Sequence, residues 1–216
     1  MESRDISKAV IRRLPRYYRY LQNLKEDGVK RISSKDLSRI MRITASQVRQ
    51  DLNCFGGFGQ QGYGYNVESL YLEIAGILGI DQEYTAIVIG AGNIGKSVVQ
   101  YKNFSKRGFN IIAIFDSDRE MAGMEVGHLK VTDINELENF IKSEKVDIAI
   151  LAVPRDVTRE VAETVVGLGI KGIWNFSPMG LLVSDESVIV ENVHLSDSLM
   201  VLGYKLRNSL KALDEQ

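Results

Sequence analysis

Apolar positions follow one rhythm in the first third of the chain and another in the rest. Over residues 7–26, Val10, Ile11, Leu14, Tyr17, Tyr18, Leu21 and Leu24 recur at the three- and four-residue steps of an amphipathic helix. Pro15 falls inside this run. Because proline is best tolerated in a first turn, the spacing predicts a helix starting near Pro15 and ending at Gly28. Residues 33–41 predict a short second helix, with Ser33 as its cap and Asp36 three residues on. After a break at Arg42 and Ile43, Thr44 and Gln47 form a T-x-x-Q capping box. It opens a third helix running to about Asn53, with Val48 and Leu52 turned inward. Two short capped helices so close together make a helix-turn-helix.

Residues 55–65, FGGFGQQGYGY, have no amphipathic period and too few aliphatic side chains for a core. They predict a hairpin wing anchored by Phe55 and Phe58, with Gln60, Gln61 and Tyr63 at its tip. A helix over 67–78 follows, and Gly79 and Asp81 mark a boundary. From Thr85 the rhythm changes to short apolar runs: AIVIG (86–90), NIIAIFD (110–116), a brief strand near 129–131, VDIAILAVP, IKGIWNF and VIVENV. Helices from near Asn93 to about Lys106, and over 133–143 and 158–168, separate them. Alternating strands and helices imply a doubly wound parallel sheet. A last helix, 195–212, places Leu195, Leu199, Leu202, Leu206 and Leu210 on one side.

Charge sharpens this division. The net charge is only −1, yet residues 1–66 hold 13 Lys+Arg against 6 Asp+Glu, and residues 67–216 hold 14 against 22. A basic first third is the candidate for a polyanion, with a merely solvated basic surface as the alternative. No apolar run is long enough for a membrane span, and the first residues carry charges throughout, unlike a secretory signal. Cys54 is the only cysteine, so no intrachain disulfide forms and a reducing cytoplasm fits.

The sharpest chemical motif is Gly90-Ala91-Gly92-Asn93-Ile94-Gly95. Alone a G-x-G-x-x-G is weak, but this one follows a strand, opens a helix and precedes a strand ending in an acid. Gly90 suits the tight turn, Gly92 the close approach of a pyrophosphate, and Gly95 helix–strand packing. Asp116 can accept bonds from the adenosine ribose hydroxyls and would repel the 2′-phosphate of NADP. Asp118 is the alternative. The later strand ends bring Val153 and Pro154, then Asn175 and Phe176, toward the same crevice. No set of residues suited to hydride-transfer catalysis accompanies them. His128 reads as a loop residue, and His194 is a weak catalyst candidate. A CoA or other nucleotide site stays open at this point.

On the third helix, Ser46, Gln47, Arg49 and Gln50 are the positions facing away from Val48 and Leu52. Arginine and glutamine are the side chains that read guanine and adenine in bidentate fashion. Ser33, Ser34, Lys35, Arg39 and Arg42 are placed to meet phosphates. Cys54 beside the wing reads as a partly buried structural cysteine rather than a thiol switch.

With ISSKDL…ITASQVRQDLNCFGGFGQQGYGYNV, IVIGAGNIGKSVVQY, FDSD, ILAVPRDV, GIKGIWNFSP and VENVHLSDSL, the chain resembles the redox-sensing transcriptional repressors of the Rex family along essentially its whole length. The resemblance implies a winged-helix domain over 1–79, a Rossmann domain over 85–194 and a domain-swapped dimerisation helix over 195–216. It implies a homodimer that binds inverted-repeat operator DNA, responds to NADH and NAD⁺, and leaves the operator when NADH rises. It places Tyr101 near the nicotinamide and the subunit interface, and Arg19 toward the other domain. His194 stands where a carboxylate is expected, with Asp197 three residues on, so this sequence departs from the pattern of an Arg19–carboxylate latch. The competing readings are an NAD-dependent oxidoreductase with an accessory basic domain, and a nucleotide-binding regulatory module that does not bind DNA.

Overall fold

The computed structural model describes residues 6–56, 59–60 and 63–214, in two compact units, Met1–Gln82 and Glu83–Gln216. The first unit contains α1 (Lys8–Glu26), β1 (Arg31–Ile32), α2 (Ser34–Met41), α3 (Ala45–Asn53), β2 (Gly59–Gln60), β3 (Gly64–Asn66) and α4 (Val67–Ile77).

Helix α1 starts a full two turns before the position expected from Pro15. Ser7 caps it by accepting from the Val10 amide, and Pro15 sits inside. An internal proline costs about 3 kcal/mol. Val10, Leu14, Tyr17 and Leu21 form one buried stripe along α1, and burying such side chains contributes roughly 1.5–3 kcal/mol each, which outweighs that cost. Gly28, at φ +75°, ends the helix as the Val29 amide turns back to the Leu24 carbonyl. The core joins Leu14, Tyr17 and Leu21 of this stripe to Leu37 and Met41 of α2, Val48 and Leu52 of α3, and Leu70 and Ile74 of α4. Phe55 packs against it, while Phe58 and Gln61 lie outside the described residues.

The glycine-aromatic stretch forms a hairpin, with β2 antiparallel to β3 and β3 to β1. Gly64 has φ +69°, and a Cβ there would lie 2.6 Å from the Ile32 carbonyl oxygen, so this turn requires glycine. Helix-turn-helix and hairpin together make a winged helix.

One charged group lies at the centre of this unit. Asp51 is completely buried, one position before the inward-facing Leu52. Its two oxygens accept from Arg13 Nη2 (2.6 Å) and Nε (2.7 Å), Gln47 Nε2 (2.8 Å) and the Tyr17 hydroxyl (3.1 Å). Burial by itself raises the pKa of this carboxyl. The bonds from Arg13, Gln47 and Tyr17 and the Arg13 charge prevail, holding it below its ordinary 3.8. Burial, and then the neighbouring Asp51, pushes the Tyr17 phenol well up.

The second unit contains β4 (Tyr84–Ile89), α5 (Asn93–Gln100), β5 (Phe109–Asp116), β6 (Glu125–Val126), β7 (Leu129–Asp133), α6 (Leu137–Ser143), β8 (Ile148–Leu151), α7 (Thr158–Gly167), β9 (Gly172–Asn175), β10 (Ile189–Asn192) and α8 (Leu195–Asp214). The sheet order is β10-β9-β8-β4-β5-β7-β6, parallel except for the edge strand β6. The chain leaves β4 for β5 on one side and later returns to β8 on the other. The topological switch point is therefore between β4 and β8, where open α/β sheets bind ligands. Ile87, Phe115, Leu151 and Ile173 lie in the core on one face, and Val88, Ile114 and Val98 in that on the other.

Helix α5 ends at Gln100, short of the expected 106. Tyr101 adopts an extended conformation, and Phe104 packs edge-on against Trp174. Residues 105–107 form a separate 3₁₀ turn. The predicted helix over 133–143 likewise splits into a 3₁₀ turn, capped by Asp133, and α6. Strand β6 has no counterpart in the sequence reading, because two residues are too few to show a period. Along α8, Leu195, Leu199, Leu202, Leu206 and Leu210 are all exposed in the single chain. Among the described residues no helix is long and apolar enough to cross a membrane.

Replacing Asp51 with Asn should lower the stability of the winged-helix unit by about 2–3 kcal/mol. This is less than the roughly 3–5 kcal/mol of a fully buried broken pair, because Arg13 keeps 29% of its side chain exposed. Chemical denaturation of the full chain, read at the lower transition, measures it. In the unaltered chain the depressed Asp51 contributes stability that is fully present above its ordinary pKa. That stability is lost as pH falls below about 4 toward the folded value. The raised Tyr17 pKa acts at the other end: the folded state holds its proton, so stability falls as pH rises above about 10.

Candidate nucleic-acid interface and dinucleotide site

Helices α2 and α3 are set by their caps. Ser33 accepts from the Asp36 amide at 3.0 Å and Thr44 from the Gln47 amide at 3.1 Å. The turn between the helices places Arg42 at φ 52°, the only described non-glycine residue with positive φ. An L side chain in that region costs roughly 1–2 kcal/mol relative to glycine. Ser46, Arg49 and Gln50 are exposed on α3, with Lys35, Arg39 and Arg42 exposed beside them. Arg49 Nη1 donates to the Ser34 hydroxyl at 3.2 Å, linking α3 to the start of α2. Tyr63 is 70% exposed at the wing. The Gln60 backbone pairs with Gly64 in the hairpin.

Three expected contacts differ. Gln47 is half-buried, and its amide nitrogen donates to Asp51 rather than closing a capping box or pointing freely outward. A buried carboxylate is a far stronger acceptor for that amide than a solvated backbone group. Ser33 spends its hydroxyl on its own cap, donating to Asp36 Oδ2 at 2.6 Å. Arg39 pairs with Asp36 at 2.9 Å. The sequence reading missed Arg31: its guanidinium donates to the Tyr63 carbonyl at 3.0 Å and lies over the Tyr63 ring, putting an exposed cation at the wing. Its position in a strand opposite the wing is a tertiary fact with no local signal.

In the second unit a cleft of about 770 Å³ opens at the switch point. It is lined by Gly90, Gly92, Asn93, Ile94, Asp116, Ser117, Ile134, Val153, Pro154, Val157, Glu160 and Val161. The three motif glycines have separate reasons. At Gly90, φ +101°, a Cβ would lie 2.4 Å from the Ala152 carbonyl oxygen of the adjoining strand end. At Gly95 it would lie 1.8 Å from the Gly90 carbonyl oxygen. At Gly92, φ −69°, a Cβ would meet no protein atom within 4 Å. Nothing in the fold requires glycine there. What it provides is bare backbone on the cleft side at the N-terminus of α5, where unpaired amides and the helix dipole favour an anion.

Asp116 does more than the sequence suggested. One carboxylate oxygen accepts from the Ala91 amide at 2.6 Å and the other from the Asp118 amide at 2.9 Å. It therefore pins the glycine loop to the end of β5. A carboxylate has about four acceptor positions, so about two remain on a residue that lines the cleft. Asp118 is exposed and accepts from the Glu120 amide.

Not every expected cofactor residue lines this cleft. Ala91 and Gly95 are buried and build its floor. Asn175 is completely buried, and its amide is spent on the Met179 carbonyl, Asn192 and the Ser177 amide. It shapes the loop after β9 rather than facing a ligand. Tyr101 and Phe176 line a neighbouring apolar groove of about 520 Å³ with Trp174 and Leu195, and Asn93 and Ile94 border both spaces. His128 and His194 are exposed.

Comparison with known proteins agrees with this division. Residues 5–53 match the family model for a putative DNA-binding protein N-terminus, and residues 81–179 that for a CoA binding domain. The chain is 55% identical over 201 residues to a redox-sensing transcriptional repressor Rex of Thermoanaerobacter sp. (strain X514), covering 93% of this chain and 89% of the relative. The chain belongs to the Rex family. Two Rex-related crystal structures superpose over nearly all of it. RSP in complex with beta-NAD+ and operator DNA gives a TM-score of 0.88 at 51% identity, covering 99% of both chains. RSP in complex with beta-NADH gives 0.89 at 48%, covering 99% of this chain and 100% of that one.

In this Rex-family chain, Gly92→Ala should leave stability within about 0.5 kcal/mol yet abolish measurable dinucleotide binding by calorimetry. Gly95→Ala should instead prevent the Rossmann unit from folding, which circular dichroism detects. On the other unit, Arg49→Ala should cost about 1–3 kcal/mol against the preferred operator base. Lys35→Ala should weaken all DNA sequences alike and flatten the salt dependence. Fluorescence anisotropy on operator variants separates the two.

Proposed function

We propose that this chain is a transcriptional repressor that senses the NADH/NAD⁺ ratio, binding inverted-repeat operator DNA as a homodimer and leaving it when NADH binds. The observation that carries this is the open backbone face at Gly92, above the α5 N-terminus and beside Asp116, in a chain whose other unit is a winged helix. The working divisions are 1–79 for DNA, 85–194 for the dinucleotide, and 195–216 for dimerisation.

Each side chain then has a task. The pyrophosphate rests on the Gly90–Gly95 loop, and Asp116 accepts from the ribose hydroxyls. The same carboxylate repels a phosphate on that ribose, disfavouring NADPH and also CoA, whose ribose is phosphorylated. The ring at the other end lies toward Asn93, Ile94, Tyr101 and Phe176. Arg49 and Gln50 read bases, and Arg31, Lys35 and Arg42 hold phosphates. An arginine kept at a strained turn position is consistent with its side chain having such a role. The exposed apolar face of α8 supports a second copy as its partner, since an apolar face of this size needs cover. A regulator of this kind binds its nucleotide without turning it over, and its place is the cytoplasm.

The switch needs no chemistry. Recognition helices of a dimer must lie about 34–36 Å apart to enter successive major grooves. A dinucleotide that favours a different spacing weakens DNA binding, and DNA weakens its binding by the same factor, typically about 1–3 kcal/mol. NAD⁺ differs in ring charge and shape, so it can occupy the cleft without favouring that spacing. The test is operator titration at several fixed NADH concentrations, repeated with NAD⁺ and with CoA. Operator affinity should fall with NADH and barely move with the others. Affinity unmoved by NADH, or lowered equally by both forms, would overturn the redox switch, and an effect of CoA alone would favour the other nucleotide.

A further inference from the structure

The cleft extends past the ribose position to residues that no motif accounts for. Beyond Asp116 and Ser117, its walls are Ile134, Val157 and Val161, three apolar side chains, and among them Glu160. The walls come from three elements: the end of β5, the turn after β7 and the first turn of α7. Apolar walls next to the proposed ribose acceptor suit the faces of a purine base. Glu160 stands apart from its neighbours. It is exposed at the third position of α7, and its carboxylate makes no hydrogen bond or ion pair among the described residues. The helix dipole favours an acid there. That explains why a glutamate is tolerated, but not why it borders an otherwise apolar slot.

We infer that Glu160 is a specificity-determining residue for the adenine base, accepting a hydrogen bond from its 6-amino group. This rests on the dinucleotide reading above. An ionised carboxylate only accepts. It therefore matches adenine, which offers a donor at position 6, and opposes hypoxanthine or guanine, which offer an oxygen. Ile134, Val157 and Val161 hold the ring by contact and are indifferent to that edge, so Glu160 alone tells the bases apart. Its role is separate from that of Asp116, which meets the ribose.

The experiment compares NADH with reduced nicotinamide hypoxanthine dinucleotide, which carries an oxygen in place of the 6-amino group and a proton on N1. Calorimetry gives both affinities for the full-length protein and for Glu160→Gln and Glu160→Ala. A hydrogen bond to a charged group is worth a factor of roughly 10–100, so the unaltered protein should prefer NADH by about tenfold or more. Glu160→Gln should bring the ratio near one, because an amide can present either its oxygen or its nitrogen to the base. Glu160→Ala should narrow the ratio by weakening NADH. In both variants the preference of NADH over NADPH should persist, since it belongs to Asp116. A ratio near one in the unaltered protein, or a tenfold ratio surviving Glu160→Gln, overturns the assignment while leaving the dinucleotide reading intact. Failure of the unaltered protein to bind NADH overturns both.

Discussion

A carboxylate that accepts hydrogen bonds from two parts of the chain fixes them to each other, and each unit of this protein hangs its working element on one such group. In the winged helix it is Asp51, completely buried, with four donor atoms from Arg13, Gln47 and Tyr17 around it. Two of these side chains lie on α1 and one on α3. Helix α3, the proposed recognition helix, is therefore fastened to the longest helix of its unit by directional bonds as well as by apolar packing. Packing alone tolerates small rotations. Two nitrogens of one guanidinium meeting two oxygens of one carboxylate fix the pair's geometry. Such rotational definition matters to a helix that presents Ser46, Arg49 and Gln50 from its opposite face.

Asp116 does the corresponding work in the Rossmann unit. Its bond to the Ala91 amide holds the glycine loop against the end of β5, so the loop's shape is set before any ligand arrives. Preorganisation of this kind lowers the cost of binding, because the loop is not ordered at the ligand's expense. The same oxygens retain acceptor capacity toward the cleft. One aspartate thus couples the conformation of the phosphate loop to occupation of the proposed ribose position, and its removal would disturb both.

The two units divide their chemistry cleanly. Cations are concentrated where a polyanion is proposed to bind, and the acidic remainder builds a largely apolar cleft that carries two carboxylates, Asp116 and Glu160. Between the strand ends and the solvent, the second unit adds an aromatic wall of Tyr101, Phe104, Trp174 and Phe176, stacked edge to face in sequence. Leu195, the first residue of α8, reaches the same groove. The proposed nicotinamide end and the start of the proposed dimerisation helix therefore share one surface. In the proposed dimer, a ring of altered charge or shape acts on a surface continuous with the subunit contact.

Much of this was legible in the sequence because it is local. Caps at Ser33 and Thr44, the positive-φ glycine at the end of α1, the strand–glycine–helix motif and the terminal leucine stripe each depend on residues a few positions apart, and periodicity reports them faithfully. What sequence could not supply depends on distance through space. Asp51 looks like a polar residue on a polar helix until α1 packs over it. Gln47 looks free until that carboxylate appears beside it, and Arg31 is unremarkable until the hairpin brings Tyr63 to it. Pro15 misled in the same way: local preference placed a helix start there, and the buried stripe of α1 overrode it. Asn175 reads as a cleft residue and is instead consumed by neighbours up to 17 positions away. Sequence by itself determined most of the elements, their order and the glycine pattern of the dinucleotide loop, because backbone preference and apolar spacing act at short range. Only the tertiary structure decided which polar groups are spent on the fold and which remain for a ligand, because a hydrogen bond commits a side chain only when its partner has been folded into reach.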